Sequence, residues 1–172
     1  MITLIGAVLL IGGTAAYGIR GVLRLRERSR CLAAIAHVIN VMQSEICDRL
    51  TPMPELLSQL SEEAEYPVNL LFKNAEEKMS AALGGVSFAI IWKQAVCATP
   101  ELMLKEQERT TLCELGLSLG RYNIEEQKSA LEYAHRRMED FVRKADNERD
   151  TNSKVHAFLG VAAGIFAAVI LI

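Results

Sequence analysis

Aromatic residues make up only 6% of the chain, with one tryptophan, and there are four prolines among 172 residues. That scarcity argues against an all-β domain, whose strands favour aromatic and β-branched side chains. Ala, Leu, Glu, Gln, Lys and Arg are plentiful instead, and these residues lose least on entering a helix. No C-x-x-C pair occurs: Cys31, Cys47, Cys97 and Cys113 lie far apart along the chain. Reduced, partly buried thiols in a cytosolic compartment are the expectation. His37, His135 and His156 do not fall at ligand spacing with any cysteine, so no metal centre is expected. A phosphate-cradling loop is missing too, because Gly84-Gly85 is not followed by Lys-Ser/Thr and no strand pattern precedes it. No nucleophile–base arrangement stands out. The acidic clusters Glu62, Glu63, Glu65 and Glu125, Glu126 read as solvated helix faces. The sequence thus predicts neither enzymatic activity nor a cofactor. Nineteen basic against 21 acidic residues, a net charge of −2, leave no net basic surface of the kind a nucleic-acid binder carries.

The most informative absence is that of charge at the two ends. No Asp, Glu, Lys or Arg occurs from Met1 to Ile19 or from Val155 to Ile172, and every such residue falls between Arg20 and Lys154. Apolar ends around a charged middle imply two solvents. Each end is long enough to cross a hydrocarbon core of roughly 30 Å. Nothing basic precedes the first run beyond the amino terminus, whereas Arg20, Arg24, Arg26, Arg28 and Arg30 follow it. A cleavable signal peptide has the opposite order, although Thr14-Ala15-Ala16 offers small residues for a cut. An uncleaved anchor is the expectation, and arginines on its C-terminal side hold that side in the cytoplasm. Beside a span, the same arginines meet anionic lipid rather than nucleic acid. The expected organisation is a transmembrane helix at 1–19, a cytoplasmic helical domain at 20–154 and a second transmembrane helix at 155–172. Gly160 and Gly164 form a G-x-x-x-G pair of the kind that lets membrane helices approach.

Within the middle, Leu32, Ile35, Ile39, Met42, Ile46 and Leu50 recur at spacings of three and four, predicting an amphipathic helix from Ser29 to Leu50. Thr51-Pro52-Met53-Pro54-Glu55 ends it and starts another, with Leu56, Leu57 and Leu60 inward. A third helix is predicted from Val68 to Leu83, with Leu71, Phe72, Ala75, Met79 and Leu83 inward and Gly84-Gly85 as its stop. Ser87 is the expected N-cap of a fourth helix bearing Phe88, Ile91 and Trp92. Thr99-Pro100-Glu101 opens a fifth region with Leu104, Leu112, Leu115 and Leu119 as its apolar positions. Asn123-x-x-Glu126 resembles a capping box. The helix it starts, marked by Leu131, Ala134, Met138, Phe141, Val142 and Ala145, meets no Pro or Gly before Gly160. It is expected to run into the second span, with a break near Asp150-Thr151-Asn152 as the alternative.

These features in this order resemble the stage III sporulation protein AB family of endospore-forming bacteria. Thr51-Pro52-Met53-Pro54-Glu55 is similar to the family's TPLPE segment, and Trp92 fits the fourth helix. Gly116-x-x-Leu119-Gly120, followed by Asn123 and Gln127, is similar to its G-x-x-L-G stretch with a polar cap downstream. Met53 in place of Leu, Asn123 in place of Asp and the bulky Tyr122 are the departures. The resemblance implies a bundle of about six helices, like the cytoplasmic domain of the type II secretion F protein, carried by two membrane helices. It also implies a non-enzymatic platform in the channel-like complex between mother cell and forespore. That places it in the outer forespore membrane, with its domain on the mother-cell side. The implied partners are a secretion-type ATPase and other stage III sporulation membrane proteins of the same operon; a homo-oligomer stays open. A membrane-anchored signalling or regulatory adaptor is the rival reading. Gly116, Leu119, Gly120, Asn123 and Gln127 are the candidate structural or interaction residues, the glycines for close packing or a tight turn.

Overall fold

The computed structural model describes the backbone of residues 2–82, 85–120 and 123–171, and the side chains of residues 21, 23–82, 85–120 and 123–151. Six α-helices and no strand occur among the described residues: α1 (Ile2–Gln43), α2 (Met53–Glu63), α3 (Val68–Ala81), α4 (Phe88–Cys97), α5 (Glu106–Ser118) and α6 (Ile124–Leu171). The chain divides into two compact units, one of Met1–Ser29 with Arg143–Ile172 and one of Arg30–Val142.

Among the described residues no helix is long and apolar enough to cross a membrane. The two stretches read as spans, 1–19 and 155–172, lie outside the residues whose side chains are described, as do Arg20, Leu83, Gly84, Tyr122, His156, Gly160 and Gly164. The backbone of α6 passes through Asp150–Asn152 without a break. In the smaller unit, the Ser29 hydroxyl donates to Asp146 Oδ1 at 2.6 Å, and Arg28 faces Glu148 at 3.6 Å. Arg149 pairs with Asp146 and Asp150 at 3.2 and 3.0 Å.

The larger unit owes its core to the two seams visible in the sequence. Leu32, Ile35, Ile39, Met42 and Ile46 of the first seam are buried, as are Leu131, Ala134, Met138 and Phe141 on α6. Full burial of a Leu, Ile or Met side chain stabilises by about 1.5–3 kcal/mol, and each of these rows contributes on that scale per large residue. His135 Nδ1–H donates to the Ala36 carbonyl at 2.9 Å, an ordinary helix-to-helix tie. The short helices follow in sequence, α2 packing on α3, α3 on α4 and α4 on α5. Leu56, Leu57, Leu60, Leu71, Phe72 and Ala75 face inward, whereas Met79 is only half-buried.

Two local expectations are corrected and a third is made more specific. Leu50 does not extend the first seam: it is 62% exposed and has φ of +57°. The helix widens into a π-turn at Ser44–Asp48, and the chain must become extended before Pro52, so Leu50 swings out of the stripe. Ser87 stands at the N-cap of α4, but its hydroxyl makes no capping bond; its carbonyl accepts from Ile90 N and Ile91 N at 3.0 and 3.3 Å. Thr99-Pro100-Glu101 opens the fifth region with a turn that precedes α5. Pro100–Leu102 forms a single 3-10 turn, Met103 takes the left-handed conformation, and α5 begins at Glu106. Glu108 fixes that start by accepting from Lys105 N–H at 2.7 Å, and two acidic residues in the first turn suit the positive end of the helix dipole. Leu102, unmarked by any periodicity, is fully buried, and its carbonyl accepts from the Cys31 thiol at 3.4 Å.

Candidate functional site

The residues singled out from the sequence form a corner where α5 ends and α6 begins. Gly116 is buried on the face of α5 against α4. A Cβ added there would overlap Trp92 Cδ1 and sit 2.9 Å from its Cγ and 3.0 Å from its Cβ. The indole N–H donates to the Leu112 carbonyl at 2.7 Å, one turn before Gly116. Phe72 and Phe88 flank the indole at centroid distances of 5.8 and 5.9 Å, within the range of favourable aromatic pairs. Trp92, 1% exposed, is thus held by two ring contacts and one hydrogen bond.

Leu119 is buried and already extended at the end of α5, and Gly120 after it has φ of +75°, a conformation that favours glycine. A side chain there would also meet Phe88 Cβ at 3.4 Å. Asn123 Oδ1 accepts from Glu125 N–H at 3.0 Å and from Glu126 N–H at 3.4 Å, which caps the first turn of α6. Gln127 is buried four residues on. The exposed apolar residues Val86, Ile90, Leu117 and Ile124 lie in the segments that border this corner.

Thr51-Pro52-Met53-Pro54-Glu55 is held by a residue the sequence reading passed over. Glu45, 6% exposed in the π-turn, accepts from the Thr51 hydroxyl at 2.7 Å and from Arg49 Nη1 at 2.8 Å. Thr51 N–H also donates to the Glu45 carbonyl at 2.9 Å. One carboxylate therefore sets the angle at which the chain leaves α1. A Glu six residues before a Thr-Pro was the available signal, masked because a helical Glu is normally solvated.

Of the arginines, Arg24, Arg26 and Arg30 are exposed and Arg28 is half-buried. Arg30 and His37 also line an open groove of about 580 Å³ between the start of the larger unit and the end of α2, with Val38, Val41, Leu60 and Glu63. Burial, then the charge of Cys97, pushes the Cys113 thiol upward while Lys93 and Arg109 pull it down. Burial, then Asp48, pushes Cys47 upward as well. Among the described residues no group of three or more His, Cys, Asp or Glu side chains is placed to hold a metal ion.

Comparison with known proteins agrees with this architecture. The family model for stage III sporulation protein AB matches residues 3–172. The chain is 24% identical over 172 residues to stage III sporulation protein AB of Bacillus subtilis (strain 168), covering 99% of each chain. A solved structure of a stage III sporulation protein AB superposes with a TM-score of 0.67 at 22% identity, over 73% of this chain and 98% of that one, which shows a shared helical fold. The chain therefore belongs to the stage III sporulation protein AB family, and its role lies in sporulation.

Proposed function

We propose that the protein is a non-enzymatic membrane platform of the channel-like complex between mother cell and forespore, coupling a secretion-type ATPase to membrane partners. The observation that carries this reading is the match to the family along residues 3–172, which takes in both uncharged ends as well as the bundle. An assembly component needs a folded domain joined to its anchors. Helices α1 and α6 each include one uncharged end together with residues of the bundle.

In this reading the protein crosses the outer forespore membrane twice at 1–19 and 155–172. The arginines from Arg20 to Arg30 keep residues 20–154 on the mother-cell side. There the bundle meets the ATPase, and the terminal helices meet other stage III sporulation membrane proteins of the same operon.

Deleting the gene in the endospore-forming host tests the platform role. Development should stop after engulfment, with heat-resistant spores lost; normal spore counts would overturn it. Purification in gentle detergent from sporulating cells should recover the ATPase. A kinase or transcription factor in its place would favour the adaptor reading.

A further inference from the structure

The groove beside α1 takes no part in the Gly116 corner or the Thr51–Glu55 turn. Arg30, Ala33, Ala34, His37 and Val41 line it from α1. Positions three, four, seven and eleven beyond Arg30 share one helix face, about 16 Å long at 1.5 Å per residue. Ala33 is exposed and Ala34 half-buried, so the middle of this face ends at Cβ and leaves room above it. Glu63 and Glu65 line the groove from the end of α2 and the chain just after it. Glu63 accepts from Gln59 Nε2 at 3.1 Å. Among the described residues, the side chains of Arg30, His37 and Glu65 make no ion pair or hydrogen bond. Basic and acidic groups therefore border one open groove without closing on each other. The next residue, Tyr66, is 72% exposed, the most exposed large apolar side chain among those described. Its base is fixed: Val68 N–H and Asn69 N–H donate to the Glu65 carbonyl at 2.8 and 3.2 Å, and Pro67 and Val68 are buried.

We propose that this face binds a second copy of the chain, with Tyr66 of each copy entering the groove of the other over Ala33 and Ala34. Two copies related by a two-fold axis must meet through a surface complementary to itself. This one is. A knob, Tyr66, stands beside a hole floored by small residues, and the hole is bordered by bases on α1 and acids beyond α2. The two-fold brings Glu63 and Glu65 of each copy to Arg30 and His37 of the other, so the charge pairing is made twice. Arg30 supplies a full cation, and a ring N–H of His37 donates to a carboxylate. An occupant of one sign would satisfy one edge and be repelled by the other, whereas this chain carries both signs in the required places. The exposed charges set the orientation and add little affinity. The tyrosine supplies most of it, as aromatic anchors in small interfaces do. A face of this size gives a weak dimer that depends on concentration.

The test is sedimentation velocity of the full chain in gentle detergent over a concentration series. The wild type should show a monomer–dimer equilibrium. Y66A, R30E and the E63K/E65K double variant change exposed residues only, and circular dichroism checks that each stays folded. Y66A should weaken the dimer by about tenfold or more. R30E and E63K/E65K should each shift toward monomer, since like charges then meet twice. An equimolar mixture of those two variants should regain the dimer as one copy of each, because every reversed charge finds an opposite. A wild type that stays monomeric throughout would overturn the proposal. So would a dimer unmoved by all three variants, which would form through another surface, or a mixture that associates no better than its components.

Discussion

Replacing Gly116 with alanine sets two known effects against each other, and the structure decides which wins. In an exposed helix, Gly→Ala stabilises by about 1 kcal/mol through helix propensity. Here the new methyl would overlap Trp92 Cδ1 and lie 2.9–3.0 Å from Cγ and Cβ, atoms at the root of a rigid side chain. The indole cannot swing away cheaply. It is 1% exposed, lies between Phe72 and Phe88, and holds the Leu112 carbonyl at 2.7 Å. Overpacking of this kind costs about 1–3 kcal/mol, and loosening the indole hydrogen bond costs about 1 more. The net expectation for G116A is a loss of about 1–3 kcal/mol. Trp92 is the only tryptophan in the chain, so its fluorescence during urea unfolding reports on the site itself. Leu117→Ala, at the exposed neighbouring position, is the control and should change stability by no more than about 0.5 kcal/mol. A G116A protein as stable as the wild type, with an unshifted Trp92 emission maximum, would refute the packing argument.

Two further perturbations probe the ends of helices. Glu45→Ala should destabilise by about 1–2 kcal/mol, since hydrogen bonds to a buried charged group are worth more than neutral ones; in a double-mutant cycle with Thr51→Val the coupling should exceed about 0.5 kcal/mol, and simple additivity would show that the 2.7 Å contact contributes nothing. Asn123→Ala should cost about 1 kcal/mol in denaturant unfolding while Asn123→Asp should cost nothing, because either oxygen can accept from the first-turn N–H groups of α6; equal stability of all three proteins would remove the capping role.

The long seams were legible because each keeps one periodicity over several turns. Leu32 to Ile46 bury as a row, and so do Leu131, Ala134, Met138, Phe141 and Ala145, with Val142 half-buried among them. Reading failed where a single residue leaves a regular pattern. Leu50 fits the seam arithmetically, but the extended conformation that Pro52 demands of Thr51 draws the chain out of the helix first. Thr99-Pro100 does open the fifth region, but the sequence does not show that a 3-10 turn and a left-handed Met103 come before α5. Leu102 gives no periodic signal because its burial comes from a turn rather than a helix face. Contacts across the fold were less accessible still. Gly116 and Gly120 invited a reading as packing or turn residues, yet nothing in the chain pairs Gly116 with Trp92 at a separation of 24 positions.

The burial pattern also separates two kinds of residue that sequence resemblance groups together. Gly116, Leu119 and Gln127 at the corner, and Glu45 beneath the Thr51-Pro52 turn, are buried, so they cannot be the atoms a partner touches. Their demand is geometric: each fixes where one helix stops and the next sets out. The apolar residues nearest that corner in the chain, Val86, Ile90, Leu117 and Ile124, are exposed instead, and make none of the fastenings described at Gly116, Gly120 and Asn123. A substitution at Gly116 or Glu45 would therefore reach sporulation through the amount of folded protein, and would be suppressed by any change that restores stability. A substitution that harms sporulation while leaving the urea midpoint unmoved lies outside this frame, on an exposed face of the bundle or in the terminal helices. Measuring stability alongside spore yield for the same variants is what distinguishes a frame residue from a contact residue in this fold.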